Sequence, residues 1–134
     1  MKILYTNWIN IIGIFTALFL YTTIFNLLDP NVSRNLFQAI FASLILIFLY
    51  GIIFWVGFVL VLTILDLIII VPNQNNLRLK LFLEWIIIST PFIYWAIIYD
   101  RQRYIFLVAV VTFLITQLLR ERLIKKSTAP PNKQ

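Results

Sequence analysis

Four long apolar stretches, interrupted only by short polar breaks, leave this chain few ways to fold. They run from Trp8 to Leu28, Leu36 to Val71, Leu81 to Tyr99 and Tyr104 to Leu119. A helix needs about 20 apolar residues to cross the hydrocarbon of a bilayer, and each stretch is near or beyond that length. Of the 134 residues, 62% are hydrophobic and 12% charged, whereas a soluble domain is about 45–50% apolar and about 25% charged. A water-facing globule of this size has no interior large enough for the excess. The expected fold class is therefore an all-α integral membrane protein with four antiparallel transmembrane helices. Backbone groups in hydrocarbon must find partners within their own segment, and runs this apolar on every side do not alternate as barrel strands do.

The breaks carry turn chemistry. Asn26 to Pro30 ends the first segment with a proline just past the stop, and Pro72 to Asn76 is a polar turn cluster. Asp100 to Arg103 joins segments three and four as a tight antiparallel hairpin. The expected layout is one polytopic domain over residues 1–126, with helices near 8–28, 36–71, 81–99 and 104–123. Residues 127–134 (STAPPNKQ) read as a disordered tail. No small-x-small pattern precedes Asp29, so segment one reads as a retained signal anchor.

Segment two is too long for its task. Its residues would make a helix of about 54 Å at 1.5 Å per residue, against about 30 Å of hydrocarbon. One long, tilted, protruding helix is the reading adopted, because Gly51 and Gly57 flank IIFWV with neither a proline nor a polar pair between them. Five crossings is the alternative. With four, Lys2, Arg78, Lys80, Arg120, Arg122, Lys125, Lys126 and Lys133 share one side, and Arg34, Arg101 and Arg103 the other. The positive-inside rule then places both termini in the cytoplasm. With five, Lys2 and Arg34 trade sides and only the N-terminus moves. Tyr5, Trp8 and Trp85 mark the proposed cytoplasmic boundary. Trp95, Tyr99 and Tyr104 surround the outer turn, as interfacial aromatics do. Trp55 suits either a boundary or a protein contact.

Helices in lipid associate through small residues and hydrogen bonds. Asn10, Gly13, Ala17 and Tyr21 form one face of segment one. Ala39, Ser43, Tyr50 and Gly57 form nearly one face of segment two, and Ala109, Thr112, Thr116 and Arg120 a stripe on segment four. These three stripes are expected to face protein. Pro91 removes an N–H and crowds the carbonyl of Ile87, so a bend is expected over Ile87 to Pro91.

Asp66 and Glu84 are the acidic residues set in or beside long apolar runs, where a charge near the bilayer centre costs at least about 2.5 kcal/mol. Folding the segments about their turns puts Asp66, Glu84 and Arg120 in one layer near the cytoplasmic boundary. Glu84 is expected to pair with Arg120, and Asp66 to join them or to find Arg78 or Lys80. Snorkelling or anchoring at the headgroups is the plain alternative. On a regular helix Asp66 lies opposite the small-residue face, in line with Phe48, Trp55 and Val59, where a partner chain would have to cover it.

Arg122, Lys125 and Lys126 form a juxtamembrane cluster suited to anionic headgroups. The pI of 9.9 therefore points to lipid and not to nucleic acid. There is no cysteine and no histidine, which removes thiol chemistry, the commonest general base and the commonest transition-metal ligand. No cofactor is expected, and no enzyme, because no catalytic constellation is visible. The expected function is a non-enzymatic accessory, assembly, regulatory or immunity-type component acting through intramembrane contacts with another membrane protein or with itself. The alternative is a small oligomeric transporter or holin-like pore with Asp66 and Glu84 responding to ions or protons. In scale the chain resembles small multidrug transporters, but those carry a central glutamate in the first helix, where this chain has Asn10, Thr16, Thr22, Thr23 and Asn26.

Overall fold

A computed structural model describes residues 2–128, all helix and turn. A short α1 (Lys2–Tyr5) leads through Thr6 and Asn7 into α2 (Trp8–Leu28). Segment two contains α3 (Leu36–Ile45), a π-helical turn (Leu46–Tyr50), α4 (Ile52–Leu65) and a second π turn (Asp66–Ile70). Helix α5 (Leu77–Ile98) and helix α6 (Arg103–Thr128) are joined by a 3₁₀ turn over Asp100–Gln102. Four helical stretches are long and apolar enough to span a membrane: Lys2–Leu28, Ile52–Ile70, Leu77–Ile98 and Asp100–Thr128.

The helices close into a ring. Helix α5 packs along α6, α6 along α2, and α2 against α3, while α4 returns to α5. Large apolar side chains cover the outside of every long helix; Ile53 is 79% and Ile97 69% exposed. A monomeric soluble protein rarely tolerates so much contiguous apolar surface. In hydrocarbon it costs nothing.

Segment two is the main departure from the expected layout. It is neither one uniform helix nor two crossings. The Gly51 N–H donates to the Leu46 carbonyl at 3.2 Å and the Val71 N–H to the Asp66 carbonyl at 2.9 Å, five residues back in each case. A Cβ at Gly51 would lie 2.3 Å from the Ile47 carbonyl oxygen, so the exit from the first π turn requires glycine. Each π turn holds one residue more than an α turn, so everything after it is rotated relative to everything before. At about 100° per residue a regular helix would place Asp66 about 140° from Ser43, but discounting one inserted residue leaves about 40°. Phe58, Leu62 and Asp66 accordingly form the buried stripe of this segment, in phase with Ala39 and Ser43. Gly57, expected on that stripe, is exposed, with nothing within 4 Å of a Cβ placed there. Asp66, expected opposite the stripe, is on it.

The other boundaries shift modestly. Helix α5 begins at Leu77 and not near 81, after Asn76 takes up a left-handed conformation (φ 53°) that asparagine tolerates. It continues unbroken through Pro91. Helix α6 reaches Thr128, so Ser127 and Thr128 are helical, each with its hydroxyl on the Ile124 carbonyl. The rest of the expected tail lies outside the described residues. Trp85 and Trp95, expected at headgroups, are half-buried. The Trp85 indole N–H donates to the Val110 carbonyl at 3.0 Å, and Trp95 packs edge-on against Phe54. Trp55 faces protein, next to Phe58.

Gly13 marks the closest approach of α2 to α6. A Cβ there would sit 2.4 Å from Thr116 Cγ2, and the β-branched threonine has little rotamer freedom to move away. Gly13→Ala is expected to cost about 1–3 kcal/mol of helix-bundle stability. Gly57→Ala should be neutral or stabilising by less than about 1 kcal/mol. Unfolding in mixed micelles with increasing dodecyl sulfate measures both, and equal effects would contradict the packing described.

Candidate functional site

Near the end of the bundle that holds the α4–α5 loop, four helical segments place polar side chains in one buried layer. From the second π turn comes Asp66, from α5 Glu84, and from α6 Gln117 and Arg120. Thr6 and Asn7, at the α1–α2 junction, come with Asn10 on α2. Asp66, Glu84 and Arg120 are each 0% exposed.

Arg120 is the centre. Its Nη2 donates to Asp66 Oδ2 at 2.6 Å, its Nη1 to Glu84 Oε2 at 3.2 Å, and its Nε to Thr6 Oγ1 at 2.9 Å. The Thr6 hydroxyl in turn donates to the Ile3 carbonyl at 2.6 Å. Asn7 Nδ2 donates to Asp66 Oδ2, and Gln117 Nε2 to Glu84 Oε2 at 2.9 Å. Asn10 Nδ2 reaches Asn7 Oδ1 at 3.4 Å. The planar guanidinium presents donors on three sides, so one side chain ties three other segments to α6. Two carboxylates face one guanidinium, and Asp66 Oδ1, Glu84 Oε1, Asn10 Oδ1 and Gln117 Oε1 have no donor.

Apolar side chains seal the layer on both sides. Towards the chain ends Ile3, Ile70, Leu77, Leu81 and Ile124 pack together. Towards the middle of the bundle lie Ile14, Phe58, Leu62, Ile88 and Phe113. Headgroup anchoring of Asp66 and Glu84 does not fit this burial. The cost of desolvating the charges must be met by one another and by their hydrogen bonds.

The structure thus brings Asp66, Glu84 and Arg120 together, with Asp66 on Arg120 and on neither Arg78 nor Lys80. Arg78 lies 3.8 Å from Glu121, and Lys80 donates to the Asn73 carbonyl at 2.5 Å. Arg122, Lys125 and Lys126 are exposed at the end of α6, with Lys125 also 2.5 Å from Glu121. Of the small-residue faces, Asn10, Ala39, Ser43 and Thr116 are buried, and Gly13, Ala17 and Thr112 half-buried. Ser43 Oγ accepts from Asn26 Nδ2 at 3.2 Å, which fastens α3 to α2. Sequence reasoning missed Thr6, Asn7 and Gln117. Extending the Asn10 face back by three residues reaches Asn7, and Gln117 precedes Arg120 by the same step. Those spacings were the available signal.

Among the described residues no group of three or more acidic, histidine or cysteine side chains is arranged to hold a metal ion. What the layer offers chemically is a buried cluster of two carboxyl groups on one guanidinium, with spare acceptor oxygens. Fold and site together define a small multi-pass helical membrane protein with a buried ion-pair layer. No family model, curated protein or solved structure matches the chain.

Proposed function

We propose that this chain is a non-enzymatic accessory, assembly, regulatory or immunity-type component that works through helix contacts inside the membrane. The closed polar layer carries the reading: its charged groups face one another, between two apolar cores, an arrangement suited to holding the bundle together and not to meeting a substrate. The remaining loops are short turns with no room for a soluble domain. Among the described residues within the spans, the outer helical surface is what can meet a partner, above all α4. Only Phe58 and Leu62 of α4 are buried, and Ile53, Val56, Leu60 and Ile64 face outward.

A second reading is a transporter or pore in which the donorless oxygens of Asp66 and Glu84 respond to protons or cations. Reconstitution separates the two. Vesicles containing the purified chain should hold a potassium diffusion potential as well as empty vesicles do, and a photo-crosslinker at Ile53 should yield an adduct of one discrete mass in native membranes. Dissipation of the potential, lost in Asp66→Asn, would favour the transporter.

In the proposed orientation both termini are cytoplasmic, because the side shared by Lys2, the Arg78–Lys80 region and the basic end of α6 carries most of the Lys and Arg. A phosphatase fused after Gln134, active only outside the cytoplasm, should be inactive, and fused in the Asp29–Asn35 loop it should be active. The opposite pattern would reverse the orientation.

A further inference from the structure

The half of the bundle away from the charged layer is not filled. A cavity of about 640 Å³ lies between α2, the first π turn, α4, α5 and α6. Its size is that of a small-molecule site, commonly about 300–1,000 Å³. Helix packing alone leaves few voids larger than a water molecule. Three small wall residues, Gly51, Ser89 and Ala109, leave the space open.

The walls are aromatic. Phe54, Phe92, Trp95 and Phe106 form one cluster. Phe54 stands edge-on to Trp95 at 4.9 Å between centroids, Phe92 edge-on at 5.7 Å, and Phe106 lies 6.0 Å from Trp95. Phe58 and Phe113 close the inner end, edge to face at 5.2 Å. One polar atom on this wall is unexplained. Ser89 is 1% exposed and its Oγ has no hydrogen-bond partner. Thr90 beside it bonds back to the Ile86 carbonyl at 2.7 Å, the ordinary arrangement for a helical hydroxyl. A buried hydroxyl with no partner is costly, and an apolar wall supplies none.

We propose that this cavity binds a membrane-soluble aromatic amphiphile: a flat, apolar ring system with one hydrogen-bonding oxygen, seated among the rings, with that oxygen meeting Ser89 Oγ once the serine side chain turns from its closed-in position into the cavity. Edge-to-face rings favour an aromatic body over a plain chain, and the unpartnered Ser89 hydroxyl asks for one polar atom. Access is from lipid and from the loop end, since the lining residues Leu46 and Phe54 are exposed on the flank and Tyr99 and Gln102 at the α5–α6 turn. The site is separate from the contact role above and stands or falls without it.

Trp55 and Trp95 line the cavity, so a brominated probe that enters it quenches their fluorescence. The full chain in lipid nanodiscs is titrated with 6-bromo-2-naphthol and, separately, with 2-bromonaphthalene. The naphthol should quench saturably at one molecule per chain and be displaced by unbrominated 2-naphthol. The hydrocarbon should bind more weakly by about five- to tenfold, the scale of one hydrogen bond. Ser89→Ala should erase that preference without changing the affinity for 2-bromonaphthalene. Ala109→Phe, which fills the space, should remove the saturable component. If Ala109→Phe loses helicity, the Ser89→Ala comparison decides. Quenching that rises linearly with probe and is the same in the variants would overturn the proposal. So would equal binding of the two probes. Saturable quenching by a bromo-acyl phosphatidylcholine that naphthol cannot displace would overturn it as well, making the cavity a seat for a lipid chain.

Discussion

Arg120→Met should cost about 3–5 kcal/mol of bundle stability, the range seen when one member of a buried ion pair is removed. The substitution leaves Asp66 and Glu84 facing each other without a cation, and deprives Thr6 Oγ1 of its donor. Arg120→Lys should also lose stability, because an ammonium is a point charge and lacks the planar fork that reaches three partners at once. The loss in Arg120→Met belongs mainly to the stranded carboxylates. The triple variant Arg120→Met, Asp66→Asn, Glu84→Gln should therefore recover most of it. Dodecyl sulfate unfolding of the four proteins, followed by circular dichroism, gives the comparison. A cost below about 1 kcal/mol for Arg120→Met, or a triple variant no better than the single one, would mean that the layer is not what binds α6 to the other segments.

Inserting one alanine after Leu49 should be nearly as damaging, although Leu49 is itself exposed to the surroundings. The Leu46–Tyr50 turn already holds one residue more than an α turn, so the added residue winds on as regular helix and everything beyond it rotates by about 100°. Asp66 leaves Arg120 for the outer surface, and Phe58 and Leu62 leave the core. Deleting Leu49 does the opposite: the segment closes as regular helix with the inserted residue gone, which keeps Asp66 about 40° from Ser43. Leu49→Ala, with no change of phase, should lie within about 0.5 kcal/mol of the native chain, as surface changes do. The readout is again unfolding, together with a cysteine pair, Phe58→Cys and Phe113→Cys, at the site of rings that stand 5.2 Å apart. A short bismaleimide should bridge the pair in the full-length and deletion backgrounds and not in the insertion. An insertion that left that crosslink intact would show that the π turn does not set the phase of α4.

The depth of the charged layer was legible, and its faces were not. Counting residues from the Arg101–Gln102 turn sets Glu84 level with Leu119 and Arg120, because an antiparallel hairpin fixes height by simple subtraction. Height is additive along a helix and tolerates an error of one residue. Angular position does not. One inserted residue changes a face by more than a quarter turn, which is why Gly57 was assigned to the inner stripe and Asp66 to the outer one. Nothing in LIFLY, the sequence of the π turn, distinguishes it from regular helix; Gly51 just after it was visible, but was weighed only as a possible break between crossings. Thr6 and Asn7 were overlooked for another reason. They precede the apolar run, and a search for continuous greasy stretches begins too late to include them.

Composition and order alone settled that the surroundings are hydrocarbon, that the chain is helical and where it turns. These are consequences of burying or exposing many groups at once, and no single contact can overturn them. The fold alone decided which side of each helix looks inward, which polar groups share Arg120, and that an aromatic-walled cavity lies on the far side of the polar layer. Those outcomes depend on a phase shift of one residue, on the absence of a single methyl at Gly13 and Gly51, and on contacts between residues as distant as Thr6 and Arg120. Local preference carries no record of them.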